Sequence, residues 1–361
     1  MIAEIGSEFY EGSTQKGENL FDIGVDFKNM RFVQSGRTGL ALIAAELQLL
    51  HNIKTIALPA YCCSSMVYPF YNKGLTVVFY PIPTNFEISN KEDIVNAFFV
   101  INKADAVLCM DYFGYVRDFA LQLAKKAKAN NKIVIVDATQ TAFSKSKIYS
   151  VADYVLISYR KWSDLLCASV FSKIGYGSDL YKDAYDDFNQ VWRNAAHIKR
   201  GYLHNEIHKK SEYLKLYQQA NSMLSNKYED YSAKNGEIEK LKQIDSDFLI
   251  SQRRGNAKYL IETLNGYKRE YAFELMFKCL EDDDCPLFVP ILVNEKKRDF
   301  IRRKLVDKEI FCPAHWPIDS RYPFCETPYH RCEISLVCDQ RYGAKDMERE
   351  VYELISALNE V

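Results

Sequence analysis

Residues 132–161, KIVIVDATQTAFSKSKIYSVADYVLISYRK, contain two short apolar runs that each end in polar residues. The runs Lys132–Asp137 and Asp153–Ser158 are apolar without alternation. Runs of this kind are typical of strands that are buried on both faces of a sheet. The sequence therefore predicts a central sheet with reactive polar residues at the ends of its strands.

Similar runs recur on both sides of this stretch, from about residue 30 to residue 173, and helical stretches separate most of them. This alternation predicts an α/β fold, in which a mostly parallel seven-stranded sheet lies between layers of helices. The predicted strands are Arg31–Gln34, Lys54–Leu58, Thr76–Ile82, Asp105–Asp111, Lys132–Asp137, Asp153–Ser158 and Ala168–Ser172.

The composition changes after Tyr176. Residues 179–265 are polar, rich in Lys and Glu and helical in period, and predicted strands return only at Leu287–Val293 and Glu333–Val337. We predict that residues 1–215 form a large domain that includes an N-terminal segment. Residues 216–361 then form a helical connector and a small C-terminal α+β domain.

The charge balance argues against a polyanionic partner. Lys and Arg number 47 against 48 Asp and Glu, so no overall field favours nucleic acid or an anionic membrane. No apolar run is long enough to span a bilayer, and the N-terminus, MIAEIGSEFYEGS, lacks the regions of a signal peptide. We therefore expect a cytoplasmic protein whose ten cysteines are reduced.

Two strand ends carry groups that could bind an anion and a cation, and ligands of open α/β sheets bind at such ends. After the first predicted strand, the stretch Ser35-Gly36-Arg37-Thr38-Gly39 opens a helix, whose N–H groups and dipole form a seat for a phosphate group. Asp137 ends a central strand, where it could act as a base, ligate a metal or pair with a cation. Taken singly, each feature also fits an ordinary helix cap.

Lys161 follows the next strand. A lysine at a buried strand end is costly to keep charged unless its side chain reaches solvent. Burial and the neighbouring Arg160 predict a lowered pKa, which favours the neutral amine that an imine requires. A phosphate seat, an acid and such an amine are together what pyridoxal 5'-phosphate needs, with Asp137 pairing with its protonated ring nitrogen. Residues 1–215 are therefore the predicted cofactor-binding domain.

On these residues the chain resembles the DegT/DnrJ/StrS family of pyridoxal-phosphate aminotransferases, which have the aspartate-aminotransferase fold. The similar motifs occur in the family's order, although the three-residue step from Ser158 to Lys161 is shorter than the family's usual one. They are Ser35-Gly36-Arg37-Thr38, Leu58-Pro59-Ala60-Tyr61-Cys62-Cys63, Asp111-Tyr112-Phe113-Gly114, Asp137-Ala138-Thr139-Gln140, Ser158-Tyr159-Arg160-Lys161, Cys312-Pro313-Ala314-His315-Trp316-Pro317 and Ile334-Ser335-Leu336.

The resemblance implies a role for each matching residue. Lys161 is the lysine that bonds to the cofactor, and Cys63 stands where an aromatic residue usually stacks on the ring. Tyr112 and His315 line the substrate pocket. The remaining implied cofactor contacts are Asp137 to the ring nitrogen, Gln140 to the ring hydroxyl, and Ser158 with the turn Ser35, Gly36, Arg37 and Thr38 to the phosphate.

The resemblance also implies a reaction and an assembly. The family transfers an amino group from glutamate to a keto group on a nucleotide-linked sugar, and it forms homodimers with shared active sites. Two alternatives stay open: a pyridoxal-phosphate lyase or dehydratase, and an inactive homologue that acts as a binding subunit. Lys161 favours transfer, because the dehydratase branch of the family has a histidine at that position.

A zinc site is a separate alternative for the C-terminal part. Its candidate ligands do not have the paired spacing of standard structural zinc sites, so we expect no metal. The candidates are Cys312, His315, Cys325, His330 and Cys332.

Overall fold

The computed structural model describes residues 4–17, 29–88, 90–177, 183–206, 209–267 and 270–360. Within these ranges no helix is both long enough and apolar enough to cross a membrane. The strands are Ile5–Gly6, Asn29–Val33, Thr55–Pro59, Thr76–Tyr80, Ala106–Cys109, Ile133–Asp137, Tyr154–Ser158, Ala168–Ser172, Phe273–Leu275, Phe288–Val293, Ile310–Phe311 and Glu333–Val337. The α-helices are Gly36–His51, Ser64–Asn72, Lys91–Ile101, Asp118–Ala129, Asp186–Leu203, Lys210–Asn226, Asn235–Leu241, Ser246–Tyr267, Glu295–Asp307, Tyr329–Cys332 and Ala344–Asn359.

Seven strands form one large sheet, which confirms the predicted fold class. Ala168–Ser172 is antiparallel to both of its neighbours, whereas the pairs among the five strands beyond it are parallel. The edge strand Asn29–Val33 therefore runs in the same direction as Tyr154–Ser158. From edge to edge the order is Asn29–Val33, Ala168–Ser172, Tyr154–Ser158, Ile133–Asp137, Ala106–Cys109, Thr55–Pro59 and Thr76–Tyr80.

The central strands are buried on both faces, as their unbroken apolar runs predict. In Thr55–Pro59, Ile56 and Leu58 belong to one hydrophobic core and Ala57 to another. Because successive side chains of a strand point to opposite faces, these two cores lie on the two sides of the sheet. The sheet is thus fixed from both sides, and its strand ends have defined positions.

A second sheet of three antiparallel strands lies in the C-terminal part, with Phe288–Val293 at its centre. The sequence predicts two of these strands but not Phe273–Leu275, which has only three residues and no clear period. The division at residues 215 and 216 stays a prediction, and the helix Lys210–Asn226 runs across it.

The N-terminal segment also pairs with the C-terminal part. Ile5–Gly6 forms a parallel pair with Ile310–Phe311 across some 300 residues of chain. Tyr342 donates its hydroxyl proton toward the carbonyl oxygen of Gly6 and accepts from the Gly6 N–H, at 3.3 and 2.9 Å. These contacts place residues 6–9 beside the candidate site described below.

A turn after the strand Ala106–Cys109 holds the C-terminal part against the large sheet. The N–H of Leu287 donates to the carbonyl oxygen of Phe113 at 2.7 Å, and that of Cys285 to Gly114 at 3.0 Å. Gly114 has a φ of +91°, and a Cβ there would lie 2.0 Å from the carbonyl oxygen of Cys285. Only glycine allows this approach.

Asp284 strengthens the same contact. Its side chain is fully buried, and it accepts from Arg117 Nη1 at 3.1 Å and from the Val116 N–H at 2.8 Å. Asp284→Ala is expected to lower the free energy of unfolding by about 3 kcal/mol, because it leaves the Arg117 cation buried without its nearest anion. Urea denaturation would measure this, and Asp282→Ala at the exposed neighbouring position should change it by only about 0.5 kcal/mol. Equal effects would contradict the role of the buried pair.

Candidate active site

A cavity of about 170 Å³ lies at the carboxyl edge of the large sheet. Since Asn29–Val33, Ile133–Asp137 and Tyr154–Ser158 run in the same direction, the residues that follow them meet at this edge. The cavity is lined by most of the predicted site residues, together with apolar side chains from both parts of the chain. The lining includes Ser35, Gly36, Arg37, Leu40, Cys63, Met110, Asp137, Thr139, Gln140, Ser158, Arg160, Lys161, Leu287, Phe288, His315 and Trp316.

The helix Gly36–His51 points its N-terminus into this cavity. Ser35 caps the helix, because its Oγ accepts from the Thr38 N–H at 3.2 Å. A Cβ added at Gly36 would lie 3.2 Å from the Cβ of Ser158, so a larger residue would narrow the space between them. The helix N-terminus and the Ser158 hydroxyl therefore face the same space, where both could donate hydrogen bonds to an anion. Thr38 is buried at the cap and is not among the lining residues.

Thr139 connects two of the predicted site residues, Asp137 and Ser158, with Trp162. Its N–H donates to Asp137 Oδ1 at 2.9 Å, and its Oγ1 accepts from the Ser158 N–H at 3.1 Å. Its carbonyl oxygen accepts from Trp162 Nε1 at 2.6 Å. Trp162 is fully buried and follows Lys161 directly, so these bonds fix the lysine relative to the acid. No role for Thr139 was predicted from the sequence, although it lies within the Asp137–Gln140 motif.

Asp137 is a buried acid whose charge is not matched by any residue that the structure describes. Among the described residues, Thr139 is its hydrogen-bond donor, and no ion pair includes it. Burial raises the pKa of Asp137, and the hydrogen bonds from Thr139 only partly oppose this. A cationic group of a ligand in the cavity would complete the pairing.

Lys161 has the lowered pKa that the sequence predicts. Burial among protein atoms is the main cause, and the nearby cations Arg160 and Arg37 add to it, whereas Glu8 and Cys63 act against it. Its side chain is nevertheless accessible, because it faces the cavity. A lysine in this state is available as a neutral nucleophile at lower pH than an ordinary lysine.

Cys63 and Gln140 contribute to the wall of the same cavity. Cys63 lies 2.9 Å from Ser65 through their Sγ and Oγ atoms, and burial raises its pKa. The Oε1 of Gln140 accepts from the Phe113 N–H at 2.5 Å, so its amide nitrogen is the group that can donate to a ligand.

Of the two residues assigned to the substrate pocket, the structure places one at the cavity and the other elsewhere. His315 lines the cavity, and its Nδ1 lies 3.0 Å from the Oγ of Ser335. Tyr112 instead lies in an aromatic cluster, where its hydroxyl donates to the carbonyl oxygen of Tyr61 at 2.7 Å and its ring stacks on Phe86. Because that hydroxyl is already bonded and 2% of the residue is exposed, Tyr112 is a packing residue in this structure.

A second cavity of about 340 Å³ adjoins the first and shares several lining residues with it, including Lys161 and His315. Leu287 and Phe288 of the C-terminal part line both cavities. Glu8 and Phe9 come from the N-terminal segment. Sequence reasoning did not find these residues, because only the tertiary fold brings them to Lys161. Four arginines also line this space, namely Arg160, Arg253, Arg302 and Arg341.

The residues considered for zinc do not gather into a metal site. Over the ranges that the structure describes, no group of three or more His, Cys, Asp or Glu side chains could hold a metal ion. Cys312 donates to Glu350 at 3.1 Å, and His330 hydrogen-bonds within its own turn to Thr327 at 3.0 Å.

The comparisons with known proteins bear on the fold. No family model matches the chain, and neither does any curated protein. PseC from Helicobacter pylori, an aminotransferase involved in the biosynthesis of pseudoaminic acid, matches over 100% of this chain and 99% of its own, with 13% identity and a TM-score of 0.65. DesV from S. venezuelae, solved in complex with a ketimine intermediate, matches over 99% and 91%, with 15% identity and a TM-score of 0.63. NtdA from Bacillus subtilis, solved with bound cofactor PMP, matches over 92% and 74%, with 15% identity and a TM-score of 0.62.

At these identities the likeness shows a shared fold. The chain has the architecture of these proteins along nearly its whole length. Reaction, cofactor and substrate have to be argued from its own residues.

Proposed function

We propose that the chain is a pyridoxal-phosphate-dependent aminotransferase of the DegT/DnrJ/StrS type. The observation that carries the proposal is one cavity that combines an anion seat at Ser35–Gly36 and Ser158, an unmatched acid at Asp137, and an amine of lowered pKa at Lys161. These three groups fit the phosphate, the ring nitrogen and the aldehyde of pyridoxal 5'-phosphate. NtdA, which shares the fold, has the related cofactor bound.

The side chains divide the work as follows. Pyridoxal phosphate, when bound, supplies an aldehyde that bonds to amines and a ring that withdraws electrons from them. Asp137 would pair with the ring nitrogen and keep it protonated, and Gln140 would donate to the ring hydroxyl. The helix N-terminus and Ser158 would hold the phosphate, and Lys161 Nζ, which lines the same cavity, would move a proton to and from the substrate carbon. Leu287, Phe288 and Trp316 add apolar surface to the same cavity, which would disfavour water beside a bound ring.

We further propose that the amino donor is glutamate or another amino acid and that the acceptor is a keto sugar, free or nucleotide-linked, in polysaccharide or cell-envelope biosynthesis. DesI, which shares the fold and was solved in the presence of its TDP-sugar product, supports a sugar acceptor. A homodimer with shared active sites and a cytoplasmic location belong to the same proposal.

A half-reaction tests the transfer. Purified protein loaded with pyridoxal phosphate should release one equivalent of 2-oxoglutarate per site when glutamate is added without an acceptor, and the cofactor should appear in its amine form. Chromatography and absorbance spectra measure the two products. If no amino acid converts the cofactor, transfer is wrong, and release of water or ammonia from a sugar substrate would identify the lyase alternative instead. Cofactor that never binds would support the inactive homologue.

A further inference from the structure

Arg160 lines both cavities and has a buried nitrogen atom without a hydrogen-bond partner. It precedes Lys161 in the chain and, like Lys161, lines both cavities. Its Nη1 atom is buried and has no hydrogen-bond partner. No ion pair within 4 Å joins its guanidinium to a carboxylate in the described part of the chain, although Glu8 lies near enough to attract it.

Trp192 fixes the orientation of this guanidinium. The Cζ of Arg160 lies 4.7 Å from the centroid of the Trp192 ring, and Trp192 is itself buried. Stacking on an aromatic face uses the face of the guanidinium and leaves its N–H groups, which point outward in the plane, available for an acceptor. The side chain is thus held in place without its donors being used.

The other arginines of the larger cavity are already engaged. Arg341 forms an ion pair with Asp339 at 2.8 Å. Arg253 donates to Gln340 at 2.7 Å and to backbone carbonyl oxygens, and Arg302 donates to the carbonyl oxygen of Cys312 at 3.2 Å. An arginine with a buried, unused N–H group is costly unless a ligand supplies the acceptor. Arg160 is therefore the arginine of this cavity whose hydrogen bonding the protein leaves incomplete.

We propose that Arg160 binds the carboxylate of the amino donor. This inference rests on the proposed aminotransferase function and adds the residue that selects the donor. An α-amino acid carries its carboxylate on the carbon that also bears the reacting nitrogen, so the carboxylate must lie beside the reacting amine. Arg160 is adjacent to Lys161 and faces the same space, whereas a phosphate of a nucleotide-linked sugar would lie several bonds farther from the reacting carbon. The guanidinium fork matches a carboxylate through two parallel hydrogen bonds.

The test compares Arg160→Gln and Arg160→Lys with Arg303→Gln, which removes an exposed arginine outside both cavities. All proteins are loaded with pyridoxal phosphate, and borohydride reduction followed by peptide mapping checks that the cofactor is still attached at Lys161. Stopped-flow absorbance then gives the glutamate concentration that half-saturates the donor half-reaction. Calorimetry measures the binding of succinate, which has carboxylates but no amine, and of inorganic phosphate.

We expect Arg160→Gln to raise the half-saturating glutamate concentration and to weaken succinate binding by roughly 10²-fold, and Arg160→Lys to have a smaller effect because it keeps the charge and loses the fork. Arg303→Gln should behave as the wild type. Unchanged glutamate and succinate binding in a variant that still carries its cofactor would overturn the proposal, and so would a loss confined to phosphate, which would assign Arg160 to the acceptor. A wild-type protein that fails to attach the cofactor would refute the proposed function itself.

Discussion

Lys161→Ala is expected to abolish the borohydride-stable attachment of pyridoxal phosphate and to slow the half-reaction with glutamate by at least about 10³-fold. The amine at this position is both the group that bonds to the cofactor and the group that moves the proton, so its removal affects two steps. Cofactor should still bind reversibly, because the anion seat at Ser35–Gly36 and the acid Asp137 stay in place. Mass spectrometry after reduction and stopped-flow absorbance measure the two effects.

Lys199 is an internal control for the attachment of the cofactor at Lys161. It is the other lysine in the described part of the chain with a lowered pKa, at about 8, because it is buried and lies near Arg341. It donates to the carbonyl oxygen of Glu8 at 2.6 Å and lines neither cavity. If a lowered pKa alone decided where the cofactor attaches, reduction with borohydride could fix the cofactor to either lysine. A reduced peptide that contains Lys199 rather than Lys161 would contradict the assignment.

The sequence predicted those parts of the site that depend on strand ends. Asp137, Ser158 and the Ser35–Gly36 turn each follow an apolar run, and the shared direction of their strands brings them to one edge. The short run Ala168–Ser172 was also predicted, but its reversed direction was not, since an apolar run contains no information about the direction of pairing.

Other parts of the site depend on contacts that have no local pattern. The pairing of Ile5–Gly6 with Ile310–Phe311 involves two residues on each side, which is too short for any period to be read. Leu287 and Phe288 reach the cavity through long-range contacts, among them the hydrogen bond from the Leu287 N–H to Phe113. Residue type alone could not separate His315, which faces the cavity, from Tyr112, whose ring packs among other aromatic rings.

Arg160 and Thr139 show a different limit of the sequence. Both lie within motifs that the sequence analysis selected, yet their roles depend on partners: Trp192 for Arg160, and the Asp137, Ser158 and Trp162 groups for Thr139. A motif therefore predicts where a site is, whereas hydrogen bonds decide which of its residues bind ligand and which hold the others in place.

Asp137→Asn is expected to have opposite effects on the stability of the cofactor-free protein and on its reaction. None of the described cations forms an ion pair with the buried carboxylate, so a neutral amide of the same shape should raise the free energy of unfolding of the cofactor-free protein by roughly 1–3 kcal/mol at neutral pH. The same change removes the anion that would pair with the ring nitrogen. It should weaken cofactor binding by about 30-fold or more and slow the half-reaction by roughly 10²–10³-fold.

The pH dependence follows from the raised pKa of Asp137. The pKa of Asp137 is higher in the folded protein than in the unfolded chain. At pH values between these two pKa values, the folded state therefore binds more protons than the unfolded state. The free energy of unfolding of the cofactor-free wild type should therefore decrease as the pH rises through this range. In Asp137→Asn, the contribution of this carboxyl group to the decrease should be absent. Below the unfolded pKa the carboxyl group is protonated in both states, and the advantage of the variant should be smallest there. Urea denaturation at several pH values measures the difference.

Asp153→Asn is the matched control, because it changes a buried acid that the protein itself neutralises. Asp153 pairs with Lys128 at 2.5 Å and accepts from the Val134 N–H at 2.9 Å. Removing this charge should lower the free energy of unfolding, which is the opposite sign to Asp137→Asn, and should leave cofactor binding unchanged. If both variants destabilised the cofactor-free protein equally, the carboxylate of Asp137 would have a partner within the fold and no need of a cationic ring. Opposite signs, with cofactor binding lost only in Asp137→Asn, would assign the unmatched charge to the cofactor.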